Sequence, residues 1–210
     1  TIDADTAAAA NITMATGAMI DAGTGAIDID ADVTATLESL TSTVGDITVT
    51  AGDVALNGTV SSAGALTLEP INAATTIGLG GGAGAFSVDD AELANLADGF
   101  SGITIGKADA SDVTIDTTTF QDPVSLLTAG TFRDAAGTDI AAATNAVTLQ
   151  GTVAPGSAAT TAGILNVTGN FAFPDNDTFD VEIGGTTPGE LATNHDQLNV
   201  TGTVTIGNNV

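Results

Sequence analysis

The chain has 210 residues, with 26 acidic side chains against 2 basic ones and a formal net charge of −24. Nucleic acids and anionic membrane surfaces are thereby excluded as partners, because both are bound through cationic side chains. There is no cysteine, which rules out disulfides, thiolate metal sites and cysteine nucleophiles, and no apolar run approaches the roughly 18 residues that suggest a membrane-spanning helix.

Apolar residues make up 43% of the chain but aromatics only 3%, so a core has to be assembled from Ala, Val, Ile and Leu in thin layers. From the N-terminus, Ile12–Met14, Ile27–Ile29, Ile47–Val49 and Leu66–Leu68 each read apolar-polar-apolar. That period of two belongs to a short strand with one buried face. Ile27, Ile47 and Leu66 begin units 20 and 19 residues apart, each introduced by a glycine at 25, 45 or 64. A near-fixed period of about 20 residues points to stacked coils, because one coil cannot bury its apolar face without neighbours. The predicted fold class is all-β, a parallel β-helix (β-solenoid) of about 20-residue coils. Thr1 stands where an initiator Met would, so the chain is expected to be processed or to be part of a longer one.

Beyond Ala73 the period fades. Ile77 to Phe86, "IGLGGGAGAF", reads as a glycine-rich turn region. Asp89 or Asp90 can cap a helix, Glu92 sits in its first turn, Leu93 and Leu96 share a face, and Gly99 is a stop signal. These signs predict one short helix near 90–98 that covers the side of the rod or marks a boundary. The chain then divides into two β-solenoid modules, 1–100 and 101–210, or forms one continuous solenoid. The alternation resumes at Ile103–Ile105 and Val113–Ile115, and again at Val147–Leu149, Leu165–Val167, Val181–Ile183, Leu198–Val200 and Val204–Ile206. Pro155-Gly156 and Pro188-Gly189 mark turns, and Phe171, Phe173 and Phe179 are placed to thicken or cap the core. Two β-sandwiches with antiparallel strands would give a similar alternation; the spacing near 20 and the scarcity of aromatic anchors favour the coil.

Little in the chain can do covalent chemistry. His195 is the only imidazole, so no histidine pair or relay exists, and it reads as a polar turn residue. Lys107 and Arg133 are the only cations, and Lys107 reads as an ion-pair partner on an acidic surface. A polysaccharide-cleaving β-helix would need facing carboxylates, whereas the adjacent Asp89 and Asp90 are explained by helix capping. An enzyme is therefore not expected. Calcium is the one cofactor the residues suggest, since hard cations need several oxygens together. Asp28, Asp30 and Asp32 alternate along a strand and so share a face. Asp175, Asp177 and Asp180 lie in a predicted loop, "PDNDTFD". The solvated acidic face is the competing reading for both sets.

"ELANLADGFSGITIGKADASDVTID" and "FQDPVSLL", together with the Pro-Gly-Ser stretch after Val153 and the Asp-Gln-Leu-Asn-Val-Thr-Gly stretch at 196–202, resemble segments of giant repetitive bacterial surface proteins. These are the filamentous-haemagglutinin-like and autotransporter-like β-strand-repeat adhesins. The resemblance covers about 92–210 in sequence and 1–91 in style. It implies a right-handed solenoid, export to the bacterial surface or beyond, and a role as stalk, adhesin or fibre. Expected partners are a second copy in a homopolymer, neighbouring modules of a longer chain, or surface glycans. The group shares no catalytic residues. The different-class alternative is a carbohydrate-binding or polysaccharide-cleaving β-helix.

Overall fold

The structure is a computed structural model that describes residues 2–3, 9–135, 138–189 and 191–210. Among them every strand pairing is parallel. The antiparallel contacts are isolated bridges, Ala158 with Thr161 and Ile183 with His195. This overturns the antiparallel β-sandwich alternative and agrees with a predominantly β, parallel-strand structure.

The chain supplies three ladders in turn. In the first, Ile27, Ile47, Leu66, Ile103, Val124, Val147, Phe171 and Val204 stand above one another in direct register. All but Val204 are buried. Two residues further on, Ile29, Val49, Leu68, Ile105, Leu126 and Leu149 form a second inward row, every member buried. The residues between them point outward, as a pleated strand requires. The ladder runs through residue 100 without a break, since Ala65–Pro70 pairs with Gly102–Gly106.

The second ladder takes residues 12–13, 35–37 and 54–56. A further run, Phe86–Val88, Ile77–Leu79, Val113–Ile115, residues 132–134 and 152–153, and Thr178–Phe179, is paired in that order, and Ser87 N joins it to residues 47–56 by donating to Asp53 Oδ1 at 2.8 Å. The third stacks Met19–Asp21, Ser39–Thr41 and Val60–Ser61, with Val60 bridged to Leu96. Higher up, Thr118–Thr119 pairs with residues 140–141, which lie under 167–168, and Gln197–Val200 covers 164–167. Phe171, Phe173 and Phe179 do meet, with ring centroids 4.8 and 5.6 Å apart in successive pairs.

The expected spacing near 20 needs correction. From Ile27 to Val204 the steps of the first ladder are 20, 19, 37, 21, 23, 24 and 33 residues. The two long steps each carry an excursion. The 37-residue step holds the glycine-rich segment, which is more than a turn: Ile77–Leu79 and Phe86–Val88 are parallel neighbours. Only six residues, 80–85, join them, where a parallel connection ordinarily needs a dozen or more. Main chain packs on main chain to make this possible. A Cβ on Gly78 would overlap Gly82 O and lie 2.9 Å from Gly84 N, and one on Gly84 would overlap Gly78 N.

The same step holds the helix, which spans Asp90–Leu93 rather than 90–98. Its start matches the sequence: Asp89 is the N-cap, accepting from Glu92 N, while Glu92 Oε2 accepts from Asp89 N at 2.8 Å. Its early end has a physical cause. Val60 N donates to Asn95 O and Ala97 N donates to Val60 O, so residues 95–97 are spent on the third ladder and cannot continue a helix. Leu93 and Leu96 are both buried beneath this turn.

Glycine before each early unit also has a cause. Just before Ile47, a Cβ on Gly45 would overlap Gly25 O and lie 2.7 Å from Ala26 N of the neighbouring rung. The buried Ser62 hydroxyl donates to Gly45 O at 2.6 Å and accepts from Gly64 N at 2.9 Å. Ser42 makes the equivalent bonds to Gly25 O and Gly45 N. Serine and glycine thus form a unit that repeats from rung to rung.

Candidate functional site

The first ladder presents an outward row in register: Asp28, Thr48, Thr67, Thr104, Ser125, Thr148, Ala172 and Thr205. Six of these eight carry hydroxyls, at a repeat of about 4.8 Å set by the strand spacing. Beyond Asp28, this outward row is therefore regular and uncharged, and hydroxyl-bearing except at Ala172.

Asp28, Asp30 and Asp32 do project from one side of Ile27–Leu37, whose burial alternates from Ile27 to Asp32. Directly after them the register shifts between Ala31 and Thr34. The second set is dispersed. Asp175 Oδ1 accepts from Asn208 N at 2.7 Å, and its pKa lies below the usual carboxylate range because of that bond and one from the Asn208 amide. Asp177 is buried and accepts from Gly151 N at 3.2 Å, and burial pushes its pKa up. Asp180 N donates to Val153 O. Among the described residues no three His, Asp or Glu side chains are grouped to hold a metal ion.

Sequence reading missed what many carboxylates do. Asp46 Oδ1 accepts from Ala65 N at 2.8 Å, Asp53 Oδ1 from Ser87 N at 2.8 Å, and Asp112 Oδ1 from Thr131 N at 2.9 Å. Asp122 accepts from Gly99 N, Asp134 from Gly156 N and Asp196 from Gly163 N, all three carboxylates being buried. Each bond joins segments far apart in sequence, so these acids pin one rung to another. A signal existed at two of them: Asp46 and Asp112 each lie beside a glycine of the next rung, at 64 or 130. Asn and Asp continue the pattern in the last rung, 33 residues apart, where Asn199 Nδ2 donates to Asn166 Oδ1 and Asn209 Nδ2 to Asn176 Oδ1. The sequence repeats Leu-Asn-Val-Thr-Gly at 165–169 and 198–202 at that same interval.

The remaining titratable groups have local roles. Lys107 Nζ lies 3.6 Å from Asp109 Oδ1 and donates to Ile71 O at 3.3 Å, the ion pair expected of it. His195 Nδ1 lies 3.2 Å from Gly185 O, and the residue bridges Ile183 and Pro188 rather than standing in the expected turn. Glu92 Oε1 accepts from Leu56 N, and burial pushes the carboxyl pKa up. A shallow groove of about 340 Å³ runs between the helix and the 117–121 segment, lined by Asp90, Leu93, Ala94, Thr117, Thr119 and Gln121. No described helix is long and apolar enough to cross a membrane.

Compared with known proteins, the chain matches no protein-family model, no curated protein and no solved structure.

Proposed function

We propose that the chain is a right-handed parallel β-solenoid acting as a structural segment or subunit of an extracellular bacterial surface fibre, stalk or adhesin. The observation that carries this reading is the in-register row from Ile27 to Val204. A right-handed turn is the expected hand, because connections between parallel strands of one sheet follow the strand twist. Seven steps of about 4.8 Å give a rod body roughly 34 Å long. The carboxylates that serve as main-chain acceptors are occupied in holding coils together, which favours a scaffold over a catalyst. The open last rung, with Val204 and Ile206 exposed, is compatible with a further coil from a second copy or from neighbouring modules. Electron microscopy of the purified chain at high concentration tests the role: end-to-end filaments support the reading, and particles that stay single at every concentration remove the fibre subunit.

The groove beside the helix favours a second reading, a carbohydrate-binding β-helix, because Asp90, Thr117, Thr119 and Gln121 can hydrogen-bond sugar hydroxyls. Glycan-array binding that is lost on Gln121→Ala would favour it. Depolymerisation of a polysaccharide by the chain would replace the scaffold reading with an enzymatic one.

A further inference from the structure

The 33-residue step contains an excursion between Phe179 and Gln197 that returns to its own base. Its neck is closed by two hydrogen bonds, one to the Asp196 carboxylate and one between main-chain groups. Glu182 N donates to Asp196 Oδ2 at 2.8 Å, and Asp196 N donates to Glu182 O at 3.0 Å. Asp196 is 7% exposed, and its other oxygen accepts from Gly163 N at 2.7 Å, where the rung Ile164–Phe173 begins. One carboxylate thus ties both strands of the neck to the body of the stack. The Glu182 carboxyl lies against it, and Glu182 Oε2 is buried with no N–H or O–H donor to satisfy it.

Two carboxylates held together in a partly buried place cannot both carry charge without a cation between them. Among the described residues the charged groups acting on Glu182 are Asp196 and Asp180, both acidic. The salt bridge of the described residues, Lys107 with Asp109, lies elsewhere, and His195 Nδ1 is turned to Gly185 O. The buried, donor-less Oε2 and the neighbouring acids therefore favour the protonated form of Glu182.

We propose that Glu182 and Asp196 form a proton-operated clasp that closes the 180–196 excursion against the stack. The closed form keeps the Glu182 proton; losing it adds a negative charge beside Asp196 and opens the neck. The hydrogen bond with Asp196, then burial and the nearby charges, raise the Glu182 pKa to about 7. Because the folded value lies above the ordinary one, closure is complete below the ordinary glutamate range. It is lost as pH rises through about 7. Val181, Ile183 and Leu191 of the excursion are exposed, so the clasp governs how rigidly an apolar-edged loop is presented. This inference does not depend on the surface-fibre reading.

Hydrogen exchange on the full 210-residue chain tests it, with rates corrected for intrinsic pH dependence. The amides of Glu182, Gly184, His195 and Asp196 should lose at least tenfold protection between about pH 5.5 and about pH 8.5, while those of the inner strand Ile47–Leu56 keep theirs. Glu182→Gln supplies a permanent donor to Asp196 and should abolish the difference, leaving the neck protected at both values. Equal protection of the wild-type neck at both pH values overturns the clasp, as does an unchanged pH response in E182Q. The wild-type comparison decides alone if that variant does not fold.

Discussion

Substituting Gly45 by Ala puts the coil-on-coil packing to a direct test. A Cβ there would lie 2.7 Å from Ala26 N and would overlap Gly25 O, where carbon contacts settle at about 3.5–4.0 Å. The obstacle is the main chain of Gly25 and Ala26, so no side chain can swing away. Relief requires opening a step of about 4.8 Å by roughly 1 Å, which would also stretch the bond from Ser62 Oγ to Gly45 O. Overpacking of a tight site costs about 1–3 kcal/mol, and an immovable backbone places this case at the upper end. For a domain of this size about 3 kcal/mol corresponds to a Tm lower by roughly 6–12 °C. Gly102→Ala is the matched control, since the nearest atom to its Cβ would be Pro123 O at 3.8 Å. That replacement should leave Tm unchanged or slightly higher, because alanine restricts the unfolded chain. Differential scanning calorimetry of both variants checks the argument. A Gly45→Ala protein melting within about 1 °C of Gly102→Ala would refute the close approach of successive coils.

Further outcomes follow from the same contacts. Ser62→Ala removes a donor to Gly45 O and an acceptor for Gly64 N inside the stack; urea titration should show a loss of about 1–3 kcal/mol, and an unchanged midpoint would contradict the corner role. Phe132→Ala empties a fully buried site between the Val113 and Val153 rungs and should cost about 3–5 kcal/mol by the same titration. Burial raises the Glu92 and Asp177 carboxyls, and the bond with Asp196 raises that of Glu182 to about 7. Their stabilising contribution is full below the ordinary carboxylate range and is lost as pH rises through the raised values. Tm should therefore fall between about pH 5 and pH 8; a rise over that interval would count against these assignments. Asp175 acts oppositely, its pKa being lowered by Asn208, but its contribution is lost only on acidification below the ordinary aspartate range.

The inward rows were legible in the sequence because the pleat writes them as alternation: Ile27 and Ile29, Ile47 and Val49, Leu66 and Leu68 all face inward as expected. Gly45 was legible as a marker, though not as a steric necessity, since its obstacle belongs to another coil. Asp89 and Glu92 gave the helix start, but its end depends on Val60, which lies 35 residues before Asn95. The carboxylate acceptors were hidden for a similar reason. Asp46 reaches Ala65, 19 residues on, while Asp53 reaches Ser87, 34 residues on, so no fixed interval identifies them. Ile77–Leu79 escaped because all three of its residues are buried, glycine included, which removes the polar midpoint that reveals a strand.

The parallel ladders have a further consequence under load. Hydrogen bonds between rungs point along the stack, so tension applied between the two termini engages one rung at a time instead of sharing itself across many. The chain should unspool from an end, releasing 19 to 37 residues per event along the first ladder, or roughly 65–125 Å of extended chain each. Optical-tweezer traces should then show a staircase of unequal treads, and a single abrupt rupture of the whole chain would contradict this.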